Sequence, residues 1–281
     1  MKTVTLIAHS RPAYTAQAIT ALAAALLVPD EPVFDKLIIS IDPGNAEVEL
    51  ICNKMAEILS DGVIECVTYV NVPRQSASTT DTVAEAELLA LSRAFEEHGS
   101  ELNLSIEDDA ILTPDAALLA DWFWECHGGP ASEYLLMAMC NHRDFGRGEN
   151  PGGVPNDPSY VAESAHIAAP FAWCMSKWQW PFVRDSWNCK KVNPSGWDWS
   201  LSYAMRLARK RALHPILSRC QNIGREGGVH EYPEWFDKSQ GGLTYSDGTY
   251  AGCYEIVVRI PDSELQRPEP WMLAEMERSR G

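Results

Sequence analysis

No two of the eight cysteines are spaced Cys-x-x-Cys, and their scatter from Cys52 to Cys253 offers no zinc framework. No stretch approaches the length of a membrane span. The opening Met1–Ala8 is too short for a signal h-region and reads as a first strand. These gaps predict a cytoplasmic protein of a reducing compartment, with buried free thiols acting as small hydrophobes. Positive charge is scarce as well: 23 Lys and Arg face 39 Asp and Glu, a net charge of −16. That balance disfavours nucleic acid and anionic membrane as partners. The best local exception is Arg206, Arg209, Lys210 and Arg211, which equally suit the solvated face and last turn of a helix. Internal repeats and low-complexity tracts are missing too.

What is present is ordinary in bulk and distinctive in places. The 281 residues suffice for one large α/β domain or two small ones. Ten tryptophans are many, and several fall between Trp173 and Trp199, a grouping that suits either a core or a sugar- or base-binding cleft. The first half alternates strand and helix patterns. Strands are predicted over Val4–Ala8, Leu37–Ile41, Ile64–Val70, Leu102–Ile106 and Tyr134–Met139. Helices are predicted over Pro12–Leu27, Ala46–Leu59, Thr79–His98 and Pro114–Cys126. This alternation predicts a mostly parallel sheet with helices on both faces.

After residue 140 the pattern changes. Asn141 to Ser159 is rich in Gly, Pro, Asn and Asp and reads as a long functional loop. Phe171 to Trp187 is aromatic and partly helical in pattern, Trp197 to Arg211 reads as an amphipathic helix, and Tyr254 to Ile260 as a late strand. Residues 261–281 read as a peripheral tail.

Glu107-Asp108-Asp109 is the most informative triplet. It directly follows the strand pattern, so it lies at the carboxyl edge of the sheet, where open α/β folds bind ligands. Three adjacent carboxylates repel one another unless a cation sits among them. A hard ion, Mg2+ or Mn2+, suits oxygen ligands and brings phosphate-bearing substrates with it. The triplet also suits a solvated acidic turn before a helix.

Four pieces in fixed order carry a resemblance. They are Ala8-His9-Ser10-Arg11-Pro12, then Ser40-Ile41-Asp42, then the acidic triplet, then Gly196-Trp197-Asp198-Trp199 followed by Leu217-Ser218-Arg219 and the loop Gly224-Arg225-Glu226-Gly227-Gly228-Val229-His230. Together they resemble a GT-A fold glycosyltransferase, most closely the N-acetylglucosaminyltransferase I family, over roughly residues 3 to 240. The family pattern has a second acid where this chain has Trp199.

The resemblance implies an α/β, Rossmann-like GT-A fold with a smaller antiparallel C-terminal part. It implies one domain over residues 1–260, with a nucleotide-sugar half (1–139) and an acceptor half (140–260). It further implies a metal-dependent inverting transferase moving a hexosyl or N-acetylhexosaminyl group from a UDP-sugar to a hydroxyl of a glycan or protein. Arg11, Asp42, Glu107, Asp108, Arg225, Gly227 and Gly228 would hold the donor. Asp109 and His230 would hold Mn2+ or Mg2+, Trp197 and Trp199 would face the acceptor, and Asp198 would be the general base. Asp198 also suits a helix N-cap, and His230 an ordinary loop histidine. Three rivals stay open. One is a DNA glycosyltransferase acting on a modified base such as 5-hydroxymethylcytosine, as in phage. The others are a nucleotidyltransferase and a non-enzymatic sugar-binding module.

Overall fold

Four strands rich in Val, Ile and Leu make the parallel heart of the sheet. β1 (Lys2–Ala8), β2 (Lys36–Ile41), β3 (Glu65–Val70) and β4 (Leu102–Glu107) run the same way in the order β3-β2-β1-β4. β1, β2 and β4 are buried almost end to end, as strands covered on both faces must be. The computed structural model describes residues 1–28, 31–72, 79–141, 154–165, 171–187, 198–226, 236–237, 245–249 and 252–265.

The crossover helices follow local rules. α1 (Pro12–Leu27) opens on proline, whose missing N–H would be unpaired there in any case. α2 (Ala46–Ser60) is capped by Asn45, whose side chain accepts from the N–H groups of Glu47 and Val48. α3 (Thr79–Ser92) runs directly into a π-helical turn, Arg93–Glu97, where a single helix to His98 was expected. There the His98 N–H reaches back to the carbonyl of Arg93, and Gly99, at φ +65, ends the turn. α4 (Ala116–His127) follows a short strand, β5 (Ala110–Leu112).

The second half extends the same sheet. β6 (Tyr134–Ala138), β7 (Tyr160–Ser164), β8 (Ala172–Ser176), β9 (Arg211–Pro215) and β11 (Glu255–Val258) give the full order β11-β7-β9-β6-β8-β4-β1-β2-β3. β8 is antiparallel to both β4 and β6, while β6 and β9 are parallel. β10 (Cys220–Asn222) pairs with β5 as a separate antiparallel ribbon. The expected aromatic segment 171–187 therefore contains a full strand before α5 (Trp180–Ser186). The expected helix to Arg211 is α6 (Asp198–Ala208); Arg209 then takes φ 52, and Arg211 begins β9. α7 (Asp262–Leu265) closes the described chain. No helix among the described residues is long and apolar enough to cross a membrane.

Helices cover both faces, as expected. One apolar cluster joins β1, β2 and β4 to α1, α2 and α4 through Leu6, Ile39, Leu104, Ile19, Val48 and Phe123. Another joins β6, β8 and β9 to α3, α5 and α6 through Leu135, Met175, Leu91, Val183 and Leu201. The basic cluster at 206–211 is spent largely on structure. Arg211 is buried against Glu163, Glu133 and Asp262, the Lys210 ammonium bonds the Ser132 carbonyl, and Arg206 bonds the Glu264 carbonyl.

The α3 side of the central strands carries a buried polar ladder. Thr3 and Thr5 both donate to Asn103 Oδ1 at 2.8 Å, and Ser105 donates to Glu87 Oε1 at 2.6 Å. Glu87 is 2% exposed. Burial raises its pKa to about 7, and hydrogen bonds from Ser105 and Trp173 only temper the rise. A carboxyl whose folded pKa is raised penalises the folded state above that pKa and not below its unfolded value of 4.5. Stability therefore falls as pH rises between those limits. Glu87→Gln removes the titration, so its stability relative to wild type should improve by on the order of 3 kcal/mol from pH 4.5 to pH 7.5. Urea unfolding at the two pH values reads this directly; a constant difference between the proteins would show that Glu87 does not titrate as described.

Candidate active site

The order of the central strands reverses beside β1, which lies between β2 and β4. In open α/β sheets this crevice, at the carboxyl ends of the strands, is where ligands bind. Parallel register brings Ala8, Ile41 and Val70 to one level, with Glu107 paired to Ile7. The sequence pieces at 8–12, 40–42 and 107–109 therefore share one edge.

Asp108 is 1% exposed and accepts three hydrogen bonds: from the His9 backbone N–H (2.8 Å), Arg11 Nη2 (2.9 Å) and Thr15 Oγ1 (3.2 Å). The same Thr15 O–H is shared with the Arg11 carbonyl at 3.0 Å, so one turn of α1 is pinned to the strand-end acid. Arg11 Nη2 also lies 2.8 Å from Asp109 Oδ2, bridging the two aspartates. The other Asp109 oxygen, Oδ1, is buried and has no hydrogen-bond partner among the described residues. Burial raises the Asp109 pKa; Arg11 opposes that rise and the Asp108 charge adds to it. Glu107 is raised well above the ordinary carboxylate range by desolvation, then by Asp109 and Glu87. The triplet is thus one compensated acid, one half-compensated acid and one acid driven toward its neutral form.

Asp42 sits beside this group. Its Oδ2 is 2.8 Å from His9 Nδ1, and its Oδ1 accepts from Asn71 Nδ2 at 3.0 Å. Arg93 Nη1 donates to Asn71 Oδ1 (2.8 Å) and Ser40 Oγ (3.2 Å), with its guanidinium over the Tyr69 ring at 4.2 Å. Burial works against a charged His9, but the hydrogen bond and charge of Asp42 outweigh it and raise the imidazole pKa. His9, Asn71 and Arg93 had no assigned role in the sequence. Their link to Asp42 arises from strand register and from the π turn, which local pattern does not encode.

The acids are roofed by the chain after β9. Arg219, fully buried, donates from Nε to Asp115 Oδ2 (2.9 Å) and from Nη1 to the Leu217 carbonyl (2.5 Å), and it also bonds the Pro158 carbonyl. This anchors β10 against β5, and the Ile223 N–H then bonds the Asp109 carbonyl at 2.8 Å. Gly224 follows, and a Cβ there would lie 1.9 Å from Asp109 Oδ2 and 2.7 Å from Arg11 Nη1. Only a residue without a side chain lets the backbone approach the ion pair this closely. Arg225 forms an exposed two-pronged pair with Asp237, both distances 2.9 Å.

Asp198 is the first residue of α6 and is partly buried. The helix packs through Leu201, Ala204 and Met205 into the apolar cluster that holds β6, β8 and β9. Gly227, Gly228, His230 and Trp197 lie outside the described residues, as does the side chain of Trp199. Among the described residues, no three His, Cys, Asp or Glu side chains converge as a metal cluster.

No family model and no curated protein matches the sequence. Solved structures do match. Residues 1–349 of TarS from S. aureus align at TM-score 0.50 and 13% identity, over 80% of this chain and 61% of that one. A mannosyltransferase from Pyrobaculum calidifontis, PcManGT, solved with GDP-Man and Mn2+, aligns at TM-score 0.48 and 13% identity, over 80% of this chain and 58% of that one. The chain therefore spans about three fifths of the length of either structure. Similarity at this level speaks to fold: the chain has the GT-A glycosyltransferase fold, with nothing that singles out the N-acetylglucosaminyltransferase I family.

The close approach at Gly224 is testable. Gly224→Ala must push Asp109 or the loop aside and should cost about 1–3 kcal/mol of unfolding free energy. Gly129→Ala, whose Cβ would meet nothing within 4 Å, should stay within about 0.5 kcal/mol of wild type. Equal effects of the two changes in denaturant titrations would mean that the loop does not pack on the ion pair.

Proposed function

We propose that this chain is a metal-dependent, inverting glycosyltransferase that moves a hexosyl or N-acetylhexosaminyl group from a UDP-sugar to an acceptor hydroxyl on a glycan or protein. One observation carries the reading: on a GT-A fold, Asp109, Asp108, Arg11 and Asp42 gather at the carboxyl ends of β1, β2 and β4, beside a glycine-dependent roof. The site suits a hard cation. Asp109 offers a buried carboxylate oxygen with no hydrogen-bond partner among the described residues, in a setting that raises its pKa and so favours added positive charge. Asp109 would hold Mn2+ or Mg2+, with His230 as the second protein ligand. The bound ion would supply Lewis-acid charge against the departing diphosphate.

The chain's own residues would do the rest. Asp42, oriented from both sides by His9 and Asn71, accepts from the base or ribose. Asp108 holds Arg11 and the turn into α1, so the guanidinium faces the diphosphate subsite. Arg225, Gly227 and Gly228 belong to the loop that would cover the diphosphate with free amides and one positive charge. Asp198 would take the proton from the acceptor hydroxyl as that oxygen attacks the anomeric carbon, with Trp197 and Trp199 beside the acceptor.

A DNA acceptor is less well supported. Of the four basic residues at 206–211, Arg206, Lys210 and Arg211 bond to the chain itself, and net charge is −16. Nucleoside diphosphate release from a panel of sugar nucleotides, with Mn2+ and with chelator, tests the proposal. Wild type should cleave one donor in a metal-dependent way, Asp109→Ala should lose that release, and Asp198→Asn should lower kcat for transfer by about 10²–10⁴-fold. No cleavage of any donor, or Asp109→Ala equal to wild type, would retire the reading in favour of nucleotidyl transfer or sugar binding.

A further inference from the structure

Arg11 already occupies the inner side of the acids. Its Nη2 alone bridges Asp108 Oδ1 at 2.9 Å and Asp109 Oδ2 at 2.8 Å. A cation shared by two carboxylates would take the same position. The arrangement is lopsided. Asp108 is fully engaged by three donors, whereas Asp109 gives one oxygen to Arg11 and keeps Oδ1 buried without a partner among the described residues. Gly224 lies against both groups, so at that position no side chain stands in the way of a change of partner. The Arg11 backbone is fixed by Pro12 and by the hydrogen bond from Thr15, but its side chain is 18% exposed and ends at the crevice.

A divalent ion and this guanidinium compete for the same carboxylate. Removing a hydrogen-bonded charge from a buried partner is costly, so an ion arriving alone must overcome the Arg11–Asp109 pair. A diphosphate changes that balance, because a guanidinium matches phosphate oxygens in geometry and charge. We propose that Arg11 is an exchangeable internal cation. Without donor it neutralises Asp109, and with donor it turns to the diphosphate and leaves Asp109 to the metal. Metal and donor would then bind with positive coupling that runs partly through Arg11, in both directions. This inference rests on the donor reading given above.

The test is Mn2+ binding, followed by electron paramagnetic resonance, with and without UDP, in wild type, Arg11→Met, Arg11→Lys and Asp109→Asn. Arg11→Met should bind Mn2+ alone about tenfold or more tightly than wild type, and UDP should add less to its affinity. Arg11→Lys keeps a cation at the acids and should stay within about threefold of wild type, while Asp109→Asn should lose the site. Arg11→Met takes the cation from Asp109 and one of three donors from Asp108, and can lose stability. Its Tm should then rise more with added Mn2+ than that of wild type, since a ligand that binds the folded state stabilises it. Mn2+ binding supported by UDP, with no gain in Arg11→Met by either readout, overturns the inference and leaves the transferase reading standing. No Mn2+ binding in any variant, with or without UDP, overturns both.

Discussion

Three adjacent carboxylates at the end of a central strand are the constraint around which the rest is arranged. Left alone, Glu107, Asp108 and Asp109 would repel one another in a largely dry setting. Each acid is handled differently. Asp108 takes three donors from the β1–α1 turn, Asp109 shares Arg11 and keeps one oxygen without a partner among the described residues, and Glu107 is driven toward protonation by desolvation and by its acidic neighbours. The turn into α1, the short β5–β10 ribbon and the glycine at 224 all serve contacts to these groups.

The same edge shows why a β3-β2-β1-β4 order suits a polar ligand. Register places the ends of β1, β2 and β3 together, so a connected polar row runs from Arg93 through Asn71 and Asp42 to His9, and on through the His9 backbone to Asp108. A row of this kind fixes the orientation of Asp42 before any ligand arrives, which lowers the cost of binding. The π turn at Arg93–Glu97 feeds Arg93 into it, and such turns recur at functional sites. Beneath the row, Glu87 extends the acidic character into the core through Ser105.

Much of the first half was legible because each element carries its own signal. The Pro12 start of α1, the Asn45 cap of α2 and the Gly99 stop are local, and the predicted bounds lie within a residue or two of those found. The second half was harder for physical reasons. β8, Ala-Trp-Cys-Met-Ser, is buried on both faces and shows no alternation, so it merged with the helix that follows. β9 was absorbed into the preceding helix because Arg209 to Arg211 resemble a basic last turn, and only the left-handed Arg209 separates them. β5 and β10 have three residues each, too few to carry a pattern. At the site, Arg11, Asp42 and the acids stood out through motif order. The His9–Asp42 and Asn71–Arg93 contacts did not, because they join residues 22 to 33 positions apart that only folding brings together.

The central claim is that Asp109 holds a cation against a diphosphate at the β1/β4 crevice. The most direct measurement is a crystal structure grown with Mn2+ and UDP, with the ion located by its anomalous scattering. The account predicts one strong peak in contact with Asp109 Oδ1, with the diphosphate over the carboxyl ends of β1 and β4 and the base beside Asp42. A peak away from Asp109, or a nucleotide bound at another edge of the sheet, would contradict it.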